Sequence, residues 1–220
     1  MRTVAIISQK GGAGKTTLAV HLAVEAERSG LSSAIIDLDP QASATGWGDS
    51  RRQDTPAVVS AQAARLGNVL QIAKQNGARL ALIDTAPHSE AAALAATREA
   101  DLILIPCRPA ILDLRAISQT VDLARIAGKP AAVVLNAVPA RGSLTGEAIE
   151  AVTGYGIDVA DVQLGQRAAF VHCLTAGLTA QEFEPGGKAA REIKHLFRWM
   201  MKRLGVEHDN QETKLVGSIA

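Results

Sequence analysis

Gln9-Lys10-Gly11-Gly12-Ala13-Gly14-Lys15-Thr16-Thr17 is the stretch on which the reading of this chain turns. Ahead of it, Val4-Ala5-Ile6-Ile7 is an apolar run with β-branched residues and reads as a buried strand. Behind it, Leu18, Leu22 and Ala26 recur at helical spacing. Strand, glycine-rich loop and helix, in that order, are what a phosphate-binding loop requires. The strict pattern G-x-x-x-x-G-K-[ST] wants a glycine where Gln9 stands, and a tighter variant running from Lys10 to Thr16 replaces it. Gly11, Gly12 and Gly14 carry no Cβ, so the loop backbone, Ala13 included, can turn tightly and aim its N–H groups at a phosphate. The N-terminus of the following helix adds its own amides. Lys15 is then placed to bridge the β- and γ-phosphates, Thr16 to ligate Mg2+ and Thr17 to hydrogen-bond the α-phosphate.

Working outward, Ser33-Ala34-Ile35-Ile36 is a second strand and runs into Asp37-Leu38-Asp39-Pro40-Gln41. Leu80-Ala81-Leu82-Ile83-Asp84 is a third strand and runs into Thr85-Ala86-Pro87. Ligands of an open α/β sheet sit beyond the carboxyl ends of its strands, where all three aspartates fall. Asp37 and Asp39 are two apart, so an extended backbone would put them on one side; a cap or a turn is the other use of such a pair. Asp84 would hold an Mg2+-bound water from the neighbouring strand tip.

At 220 residues the chain suits a single domain with a full core. Aromatics are only 3%, so that core must be aliphatic, which favours a parallel sheet under alanine-rich helices. The net charge of +1 implies no polyanion partner in bulk, so a nucleic-acid surface has to be a local patch. Cys107 and Cys173 lack metal-site and disulfide-framework spacing, and Cys107, at the end of an apolar run, reads as a packed thiol. Neither a secretory signal nor a transmembrane run is visible, and a cytoplasmic setting is the expectation.

The remaining periodicity predicts a short strand or turn at 56–60 and helices over 62–75, 90–99, 113–127 and about 144–153. Ser89 is placed to cap the second of these. Strands are expected at 101–106, 131–136 and 157–162. Trp47 is open between a core and a clamping role, and Arg51, Arg52 and Arg65 read as solvated charges.

The run from Lys10 through Lys15 to Thr17 resembles the deviant Walker A loop of the ParA/MinD group of ATPases, and the likeness extends over about residues 3–204. It implies a doubly wound, mostly parallel α/β sheet with helices on both faces, of the P-loop NTPase type. It implies ATP and ADP as ligands with Mg2+, and a homodimer that forms on ATP binding. Lys10 corresponds to the lysine that reaches the partner's phosphates in that group. By the same resemblance Asp39 orients the attacking water, while Asp37 supports the lysine network and Mg2+ through water. The division of roles between these two carboxylates stays open. Asn136 resembles the residue that reads adenine, with a turn-forming asparagine as the alternative, and Gln163 to Gly165 resembles the loop on the base side.

Residues 188–203 form a basic stripe of Lys188, Arg191, Lys194, Arg198, Lys202 and Arg203 opposite an apolar side of Ile193, Leu196, Phe197 and Met200. The resemblance makes this a non-specific DNA surface, with Arg167 as a further contact and a nucleoid-associated location. It also implies a ParB-like centromere-binding adaptor that stimulates hydrolysis, in partition of plasmid or chromosomal DNA. A solvated helix face is the plainer reading of the stripe. Alternatives from other classes are a MinD-like membrane-surface switch, another cargo-positioning ATPase, and a metabolic enzyme or metallocluster-assembly ATPase of the same superfamily. The last usually brings paired cysteines, which are not so placed here. Residues 205–220 read as a disordered tail, and no helix-turn-helix precedes residue 3.

Overall fold

The computed structural model describes residues 1–141 and 143–206. Its centre is one sheet of strands β1 (Arg2–Ile6), β2 (Ser33–Asp37), β3 (Ala57–Ser60), β4 (Leu80–Asp84), β5 (Leu102–Cys107), β6 (Ala131–Leu135) and β7 (Asp158–Val159). They lie in the order β3-β2-β4-β1-β5-β6-β7. Every neighbouring pair is parallel, so the sheet is wholly rather than mostly parallel. The chain winds outward from β1 to one side as far as β3, and crosses to the other side between β4 and β5. That makes the carboxyl edge around β1 the point where the winding reverses, which is where such sheets open a crevice.

Side-chain alternation along the strands divides the core into two layers. Val4, Ile6, Leu80, Leu82, Leu102 and Leu104 face helices α1 (Lys15–Arg28), α8 (Ala169–Thr175), α9 (Ala180–Phe183) and α10 (Lys188–Arg203). Ala5, Ile7, Ala81, Ile83, Ile103 and Ile105 face α3 (Leu66–Gln75), α4 (Glu90–Glu99), α6 (Ser118–Ile126) and α7 (Leu144–Gly154). Both faces of the five inner strands are thus dry, as their near-continuous aliphatic runs require, while the edge strands β3 and β7 are partly exposed. Ser89 caps α4 by accepting from the Ala92 N–H.

Two expectations change, and a third reading that the sequence left open is decided. The helix predicted at 113–127 is two, α5 (Ile111–Ala116) and α6, with a junction at the buried Ile117. There the Ser118 hydroxyl donates to the Arg115 carbonyl at 3.0 Å, a local bond that competes with continuous helix. The strand expected at 157–162 is two residues long. Pairing lapses at Asp161 and Val162 and resumes as a single bridge between Val138 and Gly165. Third, the segment Ser43–Ser50 is a helix, α2, and Trp47 on it is core: its ring is 6% exposed and its Nε1 donates to the Leu178 carbonyl at 3.2 Å. At the other end Gly205, at φ 65°, closes α10. The predicted tail falls largely at 207–220, outside the described residues.

Candidate phosphate-binding site

The loop between β1 and α1 holds Lys10 to Gly14, with Gly12 at φ 70° and Gly14 at φ 100°. Both angles are left-handed and favour glycine. The loop opens at the carboxyl ends of β1, β2 and β4, whose last residues stand in register: Ile6 beside Asp84, and Asp84 beside Asp37. Thr85 braces the start of the loop, its buried hydroxyl donating to the Ile6 carbonyl at 2.9 Å.

Lys15 is buried, and its Nζ donates to the Lys10 carbonyl at 3.2 Å. Burial pulls its pKa down, opposed by the charges of Asp84 and Asp39. Asp84 is fully buried and accepts the Thr16 hydroxyl on Oδ2 at 2.6 Å. Its Oδ1 is buried without a hydrogen-bond partner among the described residues. Burial is the largest cause that pushes its pKa up to about 7, with Asp37 and Asp39 adding to the rise and Thr16 and Lys15 opposing it. A dry carboxylate with one orphaned oxygen beside a hydroxyl is a donor set for a hard, oxygen-seeking cation. Thr16 and Asp84 therefore fit the divalent ion expected at this place.

Asp37 and Asp39 do different things. Asp37 is fully buried; its Oδ1 accepts the Asp39 N–H at 3.0 Å, and its Oδ2 accepts the Thr45 N–H at 2.9 Å and hydroxyl at 3.0 Å. It caps the first turn of α2 and fixes the turn that carries Asp39, a role typically worth ~1 kcal/mol. Asp39 is half-buried, and its Oδ1 takes the Gln41 N–H at 2.9 Å. The two carboxylates do not share a strand face as expected, because β2 ends at Asp37. Lys10 is half-exposed, and its ammonium meets no acceptor or carboxylate among the described residues. Thr17 is half-buried, and its carbonyl accepts from the His21 Nδ1 at 2.7 Å, while its hydroxyl bonds to none of the described residues.

Asn136 follows β6 and lies against the loop: its Nδ2 donates to the Ala13 carbonyl at 2.7 Å, and its Oδ1 accepts the Ala137 N–H at 2.8 Å. Gln163 is half-buried next to Leu164, which pairs with Leu135 and Val138 through its backbone. Arg167 is committed to a carboxylate, pairing with Glu192 of α10 through Nε and Nη2. Lys188, Arg191 and Arg198 are exposed on α10, and Lys194 is half-buried.

Two residues were not singled out from the sequence and a third was misread. Arg108, one residue beyond β5, is exposed and donates through Nη2 to the Gly12 carbonyl. His21 is fully buried with a pKa lowered to about 4 by that burial; its Nδ1 donates to Thr17 and its Nε2 accepts the Ala180 N–H at 3.1 Å. Its place four residues after Thr17, on the loop's own helix, is the signal that sequence offered. Arg51, expected to be solvated, forms an ion pair with Glu182 at 2.9 Å, with side chains 3% and 10% exposed. No local pattern links residues so far apart.

The chain is similar to known proteins in sequence and in fold. Residues 4–179 match the CobQ/CobB/MinD/ParA nucleotide binding domain. The Maintenance of carboxysome distribution protein A of Gloeobacter kilaueensis is 33% identical over 208 residues, covering 92% of this chain and 94% of that protein. The Chromosome partitioning protein ParA of Myxococcus xanthus is 24% identical over 250 residues, covering 92% of this chain and 88% of that one. Among solved structures, the cell division ATPase MinD of Pyrococcus furiosus superposes with a TM-score of 0.74 at 20% identity, covering 91% of this chain and 98% of its own. At that identity the superposition speaks to the fold.

Proposed function

The chain belongs to the CobQ/CobB/MinD/ParA nucleotide-binding domain family, and from that premise we propose that it is a positioning ATPase. It dimerises around ATP, binds DNA non-specifically as a dimer, and is released when an adaptor stimulates hydrolysis. The observation that carries the proposal is the uncommitted ammonium of Lys10 on a loop whose other cation, Lys15, is buried and turned inward. One lysine serves its own phosphates, and the other is left for a second site.

The roles follow from the contacts. Amides of Gly11, Gly12, Ala13 and Gly14 and the N-terminus of α1 receive the phosphates. Lys15 exchanges the Lys10 carbonyl for phosphate oxygens, which satisfies a buried ammonium better than one carbonyl does. Thr16 and Asp84 would hold Mg2+, Asp84 through water; when bound, the ion neutralises charge on the β- and γ-oxygens. Asp39 orients the attacking water, since its carboxylate is half-open where that of Asp37 is wholly used. Lys10 of each subunit offsets charge developing at the other's phosphates.

For the surface, the exposed residues Lys188, Arg191, Arg198 and Lys202 recur at helical spacing and make a ladder for phosphates. The apolar side of α10 is spent on the core: Ile193 and Leu196 are 0% exposed and Phe197 2%. It is therefore not offered to a bilayer, which disfavours the membrane-switch reading.

A second reading differs only in cargo. Similarity to a carboxysome distribution protein favours a non-DNA cargo, and similarity to a chromosome partitioning protein favours a replicon. A ParB-like adaptor belongs to the latter. Deleting the gene separates them: plasmid or chromosome loss marks partition, and loss of even spacing of a protein body marks the other.

The experiment is co-sedimentation with DNA and with liposomes in ATP, ADP or no nucleotide, beside light scattering of wild type and Lys10→Ala. DNA binding that needs ATP, and a dimer that needs ATP and Lys10, are expected. Binding indifferent to nucleotide, or a wild type that stays monomeric in ATP and Mg2+ with hydrolysis blocked, overturns the reading.

A further inference from the structure

The outer rim of the phosphate loop is held by side chains from other strands. A loop can aim its N–H groups inward only when the intervening carbonyls point away, and each outward carbonyl is then met by water or by a side chain that also fixes its direction. Here the Gly12 carbonyl is taken by Arg108 and the Ala13 carbonyl by Asn136, at 2.7 Å. These residues follow β5 and β6, the two strands next in order beyond β1. They are tied to each other's strands, because the Asn136 N–H donates to the Cys107 carbonyl at 2.8 Å. The amide of Asn136 is itself oriented by its Oδ1 bond to the Ala137 N–H, and Ala137 sits at φ 51°, in the left-handed region.

Both contacts explain a glycine. A Cβ on Gly14 would lie 2.1 Å from the Asn136 Nδ2, and one on Gly12 would lie 3.1 Å from the Arg108 Nη2. Gly11, by contrast, has nothing within 4 Å of where its Cβ would be. The clamped glycines are thus those the two side chains rest upon.

We propose that Arg108 and Asn136 are positioning residues that hold the phosphate loop open for a polyphosphate by fixing its outer carbonyls. Their effect is on the phosphate chain and not on the base. For Asn136 this replaces adenine reading, since its Nδ2 donates to the loop. For Arg108 it assigns a role to a cation that the family reading does not use. The inference rests on that reading only in taking the loop to bind a nucleotide.

The test uses the full chain and calorimetric titration with Mg·ATP, Mg·GTP and Mg·tripolyphosphate. Wild type is compared with Arg108→Met, Arg108→Lys, Asn136→Ala and Asn136→Ser, and Lys15→Ala sets the floor. Arg108 is exposed, so its variants keep the fold even where those of Asn136 do not. Losing one charge-assisted bond at an exposed rim weakens binding by about three- to tenfold. The expected result is that loss for Arg108→Met and Asn136→Ala, equal across all three ligands, with partial recovery in Arg108→Lys. A loss confined to Mg·ATP makes Asn136 a base reader and overturns the clamp. Unchanged binding in Arg108→Met overturns it for Arg108. A wild type that binds neither nucleotide overturns the proposed ATPase function and the clamp with it. A wild type that binds both while every clamp variant matches it overturns the clamp alone.

Discussion

His21 ties the helix of the phosphate loop to its layer-mates α8 and α9, and its burial gives a pH signature of calculable size. The ring is fully buried, edge-on to Phe170 at 5.1 Å between centroids. Its Nδ1 meets a carbonyl and its Nε2 meets an N–H, so the neutral tautomer with the proton on Nδ1 is the one that satisfies both. Protonating Nε2 would set two donors against each other, and burial has already lowered the pKa from 6.5 to about 4. A histidine whose folded pKa is depressed contributes fully above its unfolded pKa and loses that contribution as pH falls toward the folded one. The window is therefore pH 6.5 down to about 4, and the whole difference is about 3 kcal/mol. Between pH 7 and pH 5 the loss comes to about 2 kcal/mol.

Other groups titrate in the same window with opposite sign. Asp84 and Glu25 are carboxyls that burial pushes upward, so they favour the folded state as pH falls. Wild-type stability alone would mix the terms, so the measurement is a difference. Urea unfolding of wild type and His21→Gln is followed at pH 7, 6 and 5. The variant should be less stable at pH 7 by ~1–3 kcal/mol, for the lost bonds and packing. By pH 5 the gap should close by about 2 kcal/mol, since the variant has nothing to protonate there. A gap of the same size at both pH values refutes the assignment of a buried, neutral ring.

Three further outcomes are expected. Glu182→Gln leaves Arg51 charged and unpaired at a nearly dry site, and should lower unfolding stability by ~3–5 kcal/mol; the double variant Arg51→Met, Glu182→Leu should recover most of it. Gly14→Ala forces a side chain into φ 100° and against Asn136, whereas Gly11→Ala meets open space, so titration with Mg·ATP should find binding lost in the first and nearly kept in the second. Asp84→Asn removes a buried charge whose cost is present above pH 7 and gone below pH 3.8, so without ligand the variant should be more stable at pH 8, by at most ~4 kcal/mol; the extra thermal stabilisation that Mg2+ gives in the presence of ATP should vanish in it.

The sequence exposed what is local. The loop from Lys10 to Thr17, the strands running into Asp37 and Asp84, and the two-sided aliphatic sheet are written in contiguous residues whose spacing fixes their use. The basic and apolar sides of residues 188–203 were legible for the same reason, because a helix maps spacing directly onto direction. What stayed hidden is non-local. Arg51 looked like one of several loop cations until Glu182, 131 residues later, closed on it. Asp37 and Asp39 looked alike until the end of β2 separated them, one into a helix cap and one toward the opening. The break at Ile117 turns on one serine hydroxyl, which periodicity does not weigh.

These non-local contacts converge on one segment. The Ala180 N–H meets His21, and the Gln181 side chain donates to the His21 carbonyl at 2.8 Å, both on α1. The Leu178 carbonyl takes Trp47, and Glu182 takes Arg51, both at the far end of the helix that Asp37 caps. Gly177 sits so close that a Cβ there would lie 2.5 Å from the Ser50 carbonyl. Residues 177–182 are thus an abutment for the two helices that begin at the phosphate loop and at Asp39. A buried lysine and a buried aspartate, each with a pKa displaced by desolvation, cost the apo protein stability at the place where it is to bind. Such a site keeps its shape only if its supports lie outside it. Arg108 and Asn136 steady the loop at the rim, and the abutment steadies the helices from below, so the charges can stay unsatisfied without the loop collapsing onto them.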